Sequence, residues 1–352
     1  MKSPGTKPSS KPAKLEKTGE TKPIKVQKFG TFLGVYLPSL LTILGLIMYL
    51  RFGWVVGNVG LGLTLLIVLL ASSITFITGL SASAIATNML VGAGGEYYMI
   101  SRSLGLELGG AIGIPIYLCR TLRITFYSLG LAEAIAIFLP DLGISQNLLV
   151  QLLAAFVVIV TTLLSSKSAA LVLKLQIPIL IAVGLSFLAL IIGIASTGFQ
   201  QPSFEPNYQT APQGFWYVFA VFFSSVIGFT AGIGMSGDLK NPQKSIPIGT
   251  MGAILTGLTL YLLIPIFLSI SSAMTPDELA NSGVETWTKV ALFGGILVYP
   301  AIWGAILSST FGSVLSGPRV LQALAKDGLA PKVFTQGSTT SQPVTSTLIN
   351  ET

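Results

Sequence analysis

An all-α, polytopic transmembrane helix bundle is the fold class that this sequence predicts. Three observations carry it: 51% of the 352 residues are hydrophobic and only 9% are charged, the mean hydropathy is +0.78, and apolar runs of about twenty residues recur along the chain. A soluble domain cannot hide that much apolar surface from water. In lipid, each backbone N–H and C=O needs a partner inside the protein, which leaves helices or closed barrels. Barrel strands read as segments of about ten residues with alternating polarity, and the apolar runs here do not alternate.

Taken in order, residues 1–28 hold eight lysines among Pro, Ser and Thr, with no aromatic residue. Such a segment buries too little to fold and is expected to be a disordered, basic cytoplasmic tail. It lacks the early apolar core and small-residue cleavage site of a signal peptide. Residues 29–335 are expected to form an eight-helix transmembrane domain. Its apolar segments lie at about 30–57, 61–89, 109–139, 147–165, 172–197, 215–237, 246–273 and 292–316. Residues 336–352 are expected to be an intracellular loop and the start of a ninth helix that the sequence cuts short.

Eight crossings return the chain to its starting side. With the tail inside, Arg102, Lys167, Lys174, Lys240, Lys244, Arg319, Lys326 and Lys332 are inside too. The outer loops then carry Asp141, Glu205, Asp277, Glu278 and Glu285 against Lys289 alone. That asymmetry is the positive-inside pattern. It predicts an integral protein of the plasma membrane or bacterial inner membrane with its N-terminus in the cytoplasm.

The rarer residues exclude whole function classes. One cysteine, Cys119, allows no intramolecular disulfide, and the absence of histidine removes the usual zinc sites and imidazole chemistry. No enzyme and no cofactor is expected. The net charge of +7 belongs to the tail, so nucleic acid is not expected as a partner. The lipid bilayer is.

Two segments are interrupted. Pro38 and the stretch around Gly45 break the first. The sixth carries Ser224 and Ser225 followed by Gly228, Gly232 and Gly234. Glycine costs about 1 kcal/mol per helical position relative to alanine. Close packing through small-xxx-small spacing explains either cluster alone. Two interruptions five segments apart fit an inverted repeat of five helices.

Several motifs resemble the cation-chloride cotransporters. They begin with Gly34-Val35-Tyr36-Leu37-Pro38, Ile43-Leu44-Gly45 and Leu50-Arg51-Phe52-Gly53-Trp54-Val55-Val56-Gly57. They continue with the run from Thr78 to Asn88, Gly94-Gly95-Glu96-Tyr97-Tyr98 and Ile100-Ser101-Arg102-Ser103-Leu104-Gly105. Ser236-Gly237-Asp238-Leu239, Ser245-Ile246-Pro247 and Gln322-Ala323-Leu324-Ala325-Lys326-Asp327 complete the series. The resemblance implies the inverted-repeat fold of the amino acid, polyamine and organocation transporter superfamily, with ions held at the discontinuous first and sixth helices. Two helices of the second repeat are then missing, and the 352-residue chain alone is expected to be inactive.

By the same resemblance, the amides of Gly45, Leu46 and Ile47 and of Gly228, Phe229 and Thr230 hold chloride, as helix N-termini suit anions. Ser308 and Ser309 match the serine pair of the sodium-coupled members, with the carbonyls of Leu41, Leu44 and Ala305 completing the shell. The alternative for the serines is a bond to their own i−4 carbonyl. The potassium site is depleted: Tyr127 matches, but Thr42 stands for asparagine, Ser224 for proline and Ile227 for threonine. Arg120 and Arg123 share a helix face with Tyr127 at i, i+3 and i+7. They are expected to act as a tethered substitute for potassium, the open alternatives being a structural pair to a carboxylate such as Glu133 or a water-lined vestibule. Asp238 with Lys240, and Glu96 with Arg102, are candidate gating pairs or simply solvated charges.

The function expected is a sodium-coupled chloride symporter whose partners are chloride and sodium ions, with a homodimer as an admissible assembly. The alternatives are an amino acid permease of the same superfamily, whose half-helix amides hold a carboxylate, and a non-transporting fragment or subunit. An ion channel finds no selectivity-filter repeat or charged ring to support it.

Overall fold

The computed structural model describes residues 28–140, 143–206 and 214–335. The expected tail, the loop after residue 335 and Asp141 lie outside the described residues. The elements are α1 (Leu37–Ile43), α2 (Leu46–Asn88), α3 (Glu96–Leu104), α4 (Leu106–Ala136), α5 (Gln146–Lys167) and α6 (Ala169–Thr197). There follow α7 (Phe215–Val226), α8 (Pro242–Ile270), α9 (Pro276–Asn281), α10 (Glu285–Val290) and α11 (Gly294–Lys326). A π-helical turn at Phe32–Tyr36 leads into α1, and two 3-10 stretches, Ile227–Ala231 and Ile233–Asp238, follow α7. No strand forms among the described residues; two isolated bridges pair Phe29 with Leu239 and Phe199 with Ser271.

Helix occupies each of the eight places where the apolar runs predict it. Six stretches among the described residues are long and apolar enough to cross a membrane: 32–88, 146–167, 169–197, 215–238, 242–270 and 294–326. The first, at 57 residues, is about 85 Å long at 1.5 Å per residue, far more than one bilayer needs. It holds the first two expected segments, divided at Gly60, whose φ of 71° and ψ of 171° leave the helical region. A Cβ there would also lie 2.8 Å from the Glu205 carbonyl oxygen, so glycine is required twice over. The 31-residue α4 is absent from the six; four glycines, two arginines and two glutamates dilute its apolar character.

Three elements had no counterpart in the expected segments. α3 is amphipathic, with Glu96 in its first turn and Arg102 in its last, a charge order that suits the helix dipole. α9 and α10 are single-turn-scale helices between α8 and α11; Thr275 and Glu278 form a capping box on α9. α11 runs ten residues beyond its expected end, to Lys326.

Glycine sets how closely these helices approach. A Cβ on Gly193 of α6 would lie 2.0 Å from the Val290 carbonyl oxygen, whereas one on Gly184 of the same helix would meet nothing within 4 Å. Near its start the chain is tied across the bundle: Phe29 N–H donates to Asp238 O at 2.8 Å, and Lys240 N–H donates to Phe29 O at 2.9 Å. The contrast within α6 gives an expected outcome. Gly193→Ala should destabilise the detergent-solubilised protein by about 1–3 kcal/mol, and Gly184→Ala should be neutral or gain up to about 1 kcal/mol. Thermal or denaturant unfolding followed by tryptophan fluorescence checks both.

Candidate functional site

The interruption of the first helix falls at Leu44 (φ −75°, ψ 29°) and Gly45 (φ −86°, ψ −145°). A Cβ on Gly45 would lie 2.8 Å from Ser309 Oγ, 3.1 Å from Thr42 O and 3.6 Å from Leu41 O. The absent side chain therefore lets oxygens of the break and of α11 approach this point closely. The sixth segment is interrupted differently from the clean half-helix start expected at Gly228. It leaves α-helical geometry after Val226 and remains 3-10 as far as Asp238.

The two interruptions touch. A Cβ on Gly228 would lie 2.8 Å from the Thr42 carbonyl carbon, and one on Gly232 would lie 2.5 Å from Val35 O. Ser39 joins them: its hydroxyl donates to Phe229 O at 2.7 Å and accepts from Gly232 N–H at 3.1 Å. The Tyr261 hydroxyl of α8 donates to Ile43 O. Backbone groups freed by the breaks are thus met from neighbouring elements, as a water-poor interior requires. Gly234 has a third role, because a Cβ there would lie 2.6 Å from Ser316 and 3.1 Å from Arg120. Packing and interruption are both served by this glycine cluster.

Of the expected sodium ligands, Ser309 Oγ and Leu41 O border the break at Gly45, and the two serines differ. Ser309 donates to Ala305 O at 3.0 Å, the ordinary back-bond within a helix. Ser308 is fully buried and its hydroxyl has no partner among the described residues. An unmet buried hydroxyl costs about 1–3 kcal/mol, so Ser308 carries an oxygen whose bonding capacity is unused among the described residues. Neutral hydroxyl and carbonyl oxygens are the donor set that suits a hard monovalent cation.

A cavity of about 450 Å³ opens along the first 3-10 stretch of the sixth segment. Phe229, Thr230 and Ile227 of the first 3-10 stretch, Thr75 and Thr78 of α2, Glu96 of α3, and Arg120 and Arg123 of α4 are among its lining residues. Leu46 packs instead against Gly130, where a Cβ would lie 2.7 Å from its side chain. The side chains at the potassium-site positions are engaged in different ways. Thr42 commits its hydroxyl to Pro38 O at 2.7 Å, Ser224 is exposed and bonds Val221 O, and Tyr127 sits in the main buried core.

The paired arginines part company. Arg120 is buried and donates to both Glu96 carboxylate oxygens at 2.6 Å and to the Ser316 hydroxyl. It is therefore a neutralised structural charge, paired to Glu96 and not to Glu133, which is exposed. Arg123, half-buried on the cavity wall, makes no ion pair among the described residues. The candidate gating pairs also regroup: Asp238 binds Arg319 at 2.5 Å, and Arg102 binds Asp327 at 2.7 Å, leaving Lys240 exposed. Tyr97 donates to Asp327 at 2.7 Å. Burial and the Asp327 carboxylate push the Tyr97 hydroxyl above its ordinary range, which keeps it a donor.

A protein-family model described as Amino acid permease matches residues 34–350. The chain belongs to the amino acid permease family. Among the relatives of this permease-family chain is solute carrier family 12 member 2 of Homo sapiens, 31% identical over 365 residues, covering 89% of this chain and 30% of that protein. Solute carrier family 12 member 1 of Homo sapiens is 33% identical over 368 residues, covering 89% and 33%. Cation-chloride cotransporter 1 of Arabidopsis thaliana is 32% identical over 367 residues, covering 91% and 37%. The chain spans about a third of the length of these curated relatives.

Three residues of this permease-family chain escape a reading by sequence alone, Ser39, Ser316 and Gln176 of α6, and so does the pairing of Glu96 with Arg120. Gln176 is fully buried, and neither its Oε1 nor its Nε2 has a partner among the described residues. A polar residue in an apolar window was the only available signal, and serines give it too often to be selective. The Glu96–Arg120 pair yields an expected outcome. Glu96→Gln leaves a buried guanidinium uncompensated and should cost about 3 kcal/mol or more. Adding Arg120→Gln should recover much of that loss in a double-mutant cycle read by thermal unfolding.

Proposed function

We propose that this chain forms the ion-binding part of a secondary transporter of the cation-chloride cotransporter type that moves chloride together with sodium. The observation that supports the reading is the meeting of the two interrupted segments next to Ser309, whose neighbour Ser308 has a hydroxyl without a partner among the described residues. There the oxygens of Leu41, Leu44, Ala305, Ser308 and Ser309 supply the sodium ligands. Chloride takes the amides at Gly45, Leu46 and Ile47 and at Gly228, Phe229 and Thr230. Cation and anion in one low-dielectric interior attract each other strongly, so each raises the other's affinity and the two move together. The relatives' name favours chloride over the carboxylate of an amino acid.

In this reading Arg123 alone is the tethered cation, since Arg120 is already neutralised by Glu96. A guanidinium cannot lose its proton in a protein, so it offers a permanent positive charge to an anion in the cavity. Chloride transport should then be indifferent to potassium. The protein expressed from its complete reading frame should take up radioactive chloride faster in proteoliposomes under a sodium gradient. Replacing Ser308 and Ser309 by alanine should remove that stimulation, and Arg123→Ala should weaken chloride binding about tenfold. Uptake indifferent to sodium and to the serines rejects sodium coupling. Competition by amino acids shifts the substrate to a carboxylate, and potassium-dependent uptake in the unmodified protein ends the role of Arg123.

Orientation follows from the basic-residue asymmetry, with the N-terminus in the cytoplasm and eight crossings. In a Cys119→Ser background, needed because Cys119 is exposed, a cysteine introduced at Lys11 should be protected from an impermeant thiol reagent applied to intact cells. Labelling from outside reverses the topology.

A further inference from the structure

The side chains of Gln176 and Ser308, without hydrogen-bond partners among the described residues, belong to neighbouring helices and share one level of the bundle. α6 and α11 run antiparallel. Leu292 N–H, two residues before α11, donates to Ala189 O at 2.9 Å. A Cβ on Gly304 would lie 3.1 Å from Ile179, and Val172 and Leu173 share a buried cluster with Phe311 and Leu315. That register places Gln176 beside Leu307 and Ser308. It also puts Gln176 on the face of α6 that carries Val172, Leu173 and Val183, all buried.

A carboxamide has two donors and an acceptor, and leaving every one unmet in a fully buried position is rare enough to require an explanation. Apolar residues of similar size would fill the same space without that penalty. Lys174, the neighbouring basic residue on α6, is exposed, so it brings no competing charge to this level. At the level of an equally unmet hydroxyl on α11, the amide has the chemistry of a neutral, hard oxygen ligand.

We propose that Gln176 is a cation-binding residue whose Oε1 joins Ser308 Oγ as a ligand to the sodium ion. The proposal rests on the sodium reading given above and extends the site from the first and eighth expected segments to the fifth. A neutral amide adds an oxygen to the shell without adding net charge, so the ion can enter and leave. It also ties α6 to the ion, so that sodium occupancy is felt by three helices.

Equilibrium binding of radioactive sodium to the purified protein, expressed from its complete reading frame and held in lipid nanodiscs, tests this directly. Gln176→Leu should weaken sodium binding at least about tenfold. Gln176→Glu, which keeps the shape and adds a carboxylate, should tighten binding and make it fall as the pH is lowered. If the leucine variant fails to fold, the glutamate variant alone decides. Unchanged sodium affinity in the folded Gln176 variants, together with loss of binding in Ser308→Ala, overturns the role of Gln176 and leaves the serine site standing. Absence of sodium binding in the unmodified protein overturns both.

Discussion

Direct contact between the two interrupted segments is the constraint on which the rest of the structure depends. An interrupted helix inside a bilayer exposes N–H and C=O groups that no water can meet, so each break needs the other as its partner. Ser39 does this with one hydroxyl, accepting from Gly232 and donating to Phe229. The contact leaves no room for side chains at Gly228 or Gly232. Once the breaks abut, Gly45 faces α11 and the oxygens around it have a common focus.

Charge is organised around the same contact. The buried Arg120–Glu96 and Arg319–Asp238 pairs lock α4 and α11 to elements at one end of the interrupted segment. Each is costly to desolvate and costly to break. Their value lies in fixing which helices meet; Arg123, on the wall of the cavity that Glu96 also lines, makes no ion pair among the described residues.

Hydropathy made the helices legible, because lipid imposes a length and a composition on every span. The eight apolar runs each contain helix, and the motif residues that resemble the cation-chloride cotransporters prove to be bound to one another. Tyr97 and Arg102 both hold Asp327, and Asp238 holds Arg319. The pairings themselves were not legible. Partners such as Arg102 and Asp327 lie 225 positions apart, and nearest-neighbour charges such as Lys240 or Glu133 are the wrong choice when the chain folds back on itself. Ser39, Ser308 and Ser309 have the same composition signal, yet one cross-links, one is unpaired and one back-bonds. Only the packing around each hydroxyl separates them. The 3-10 path of the sixth segment was equally invisible, since glycine permits several departures from the α-helix and the neighbours select among them.

Phe29 has a mechanical consequence. Its two backbone bonds, to Asp238 and from Lys240, clamp the entrance of the first helix to the exit of the sixth segment like the pin of a hinge. The two segments cannot be pulled apart at that end without breaking both bonds at once. Asp238, whose carbonyl accepts from Phe29, also carries the carboxylate paired to Arg319, so one residue fastens both the first helix and α11 at that end.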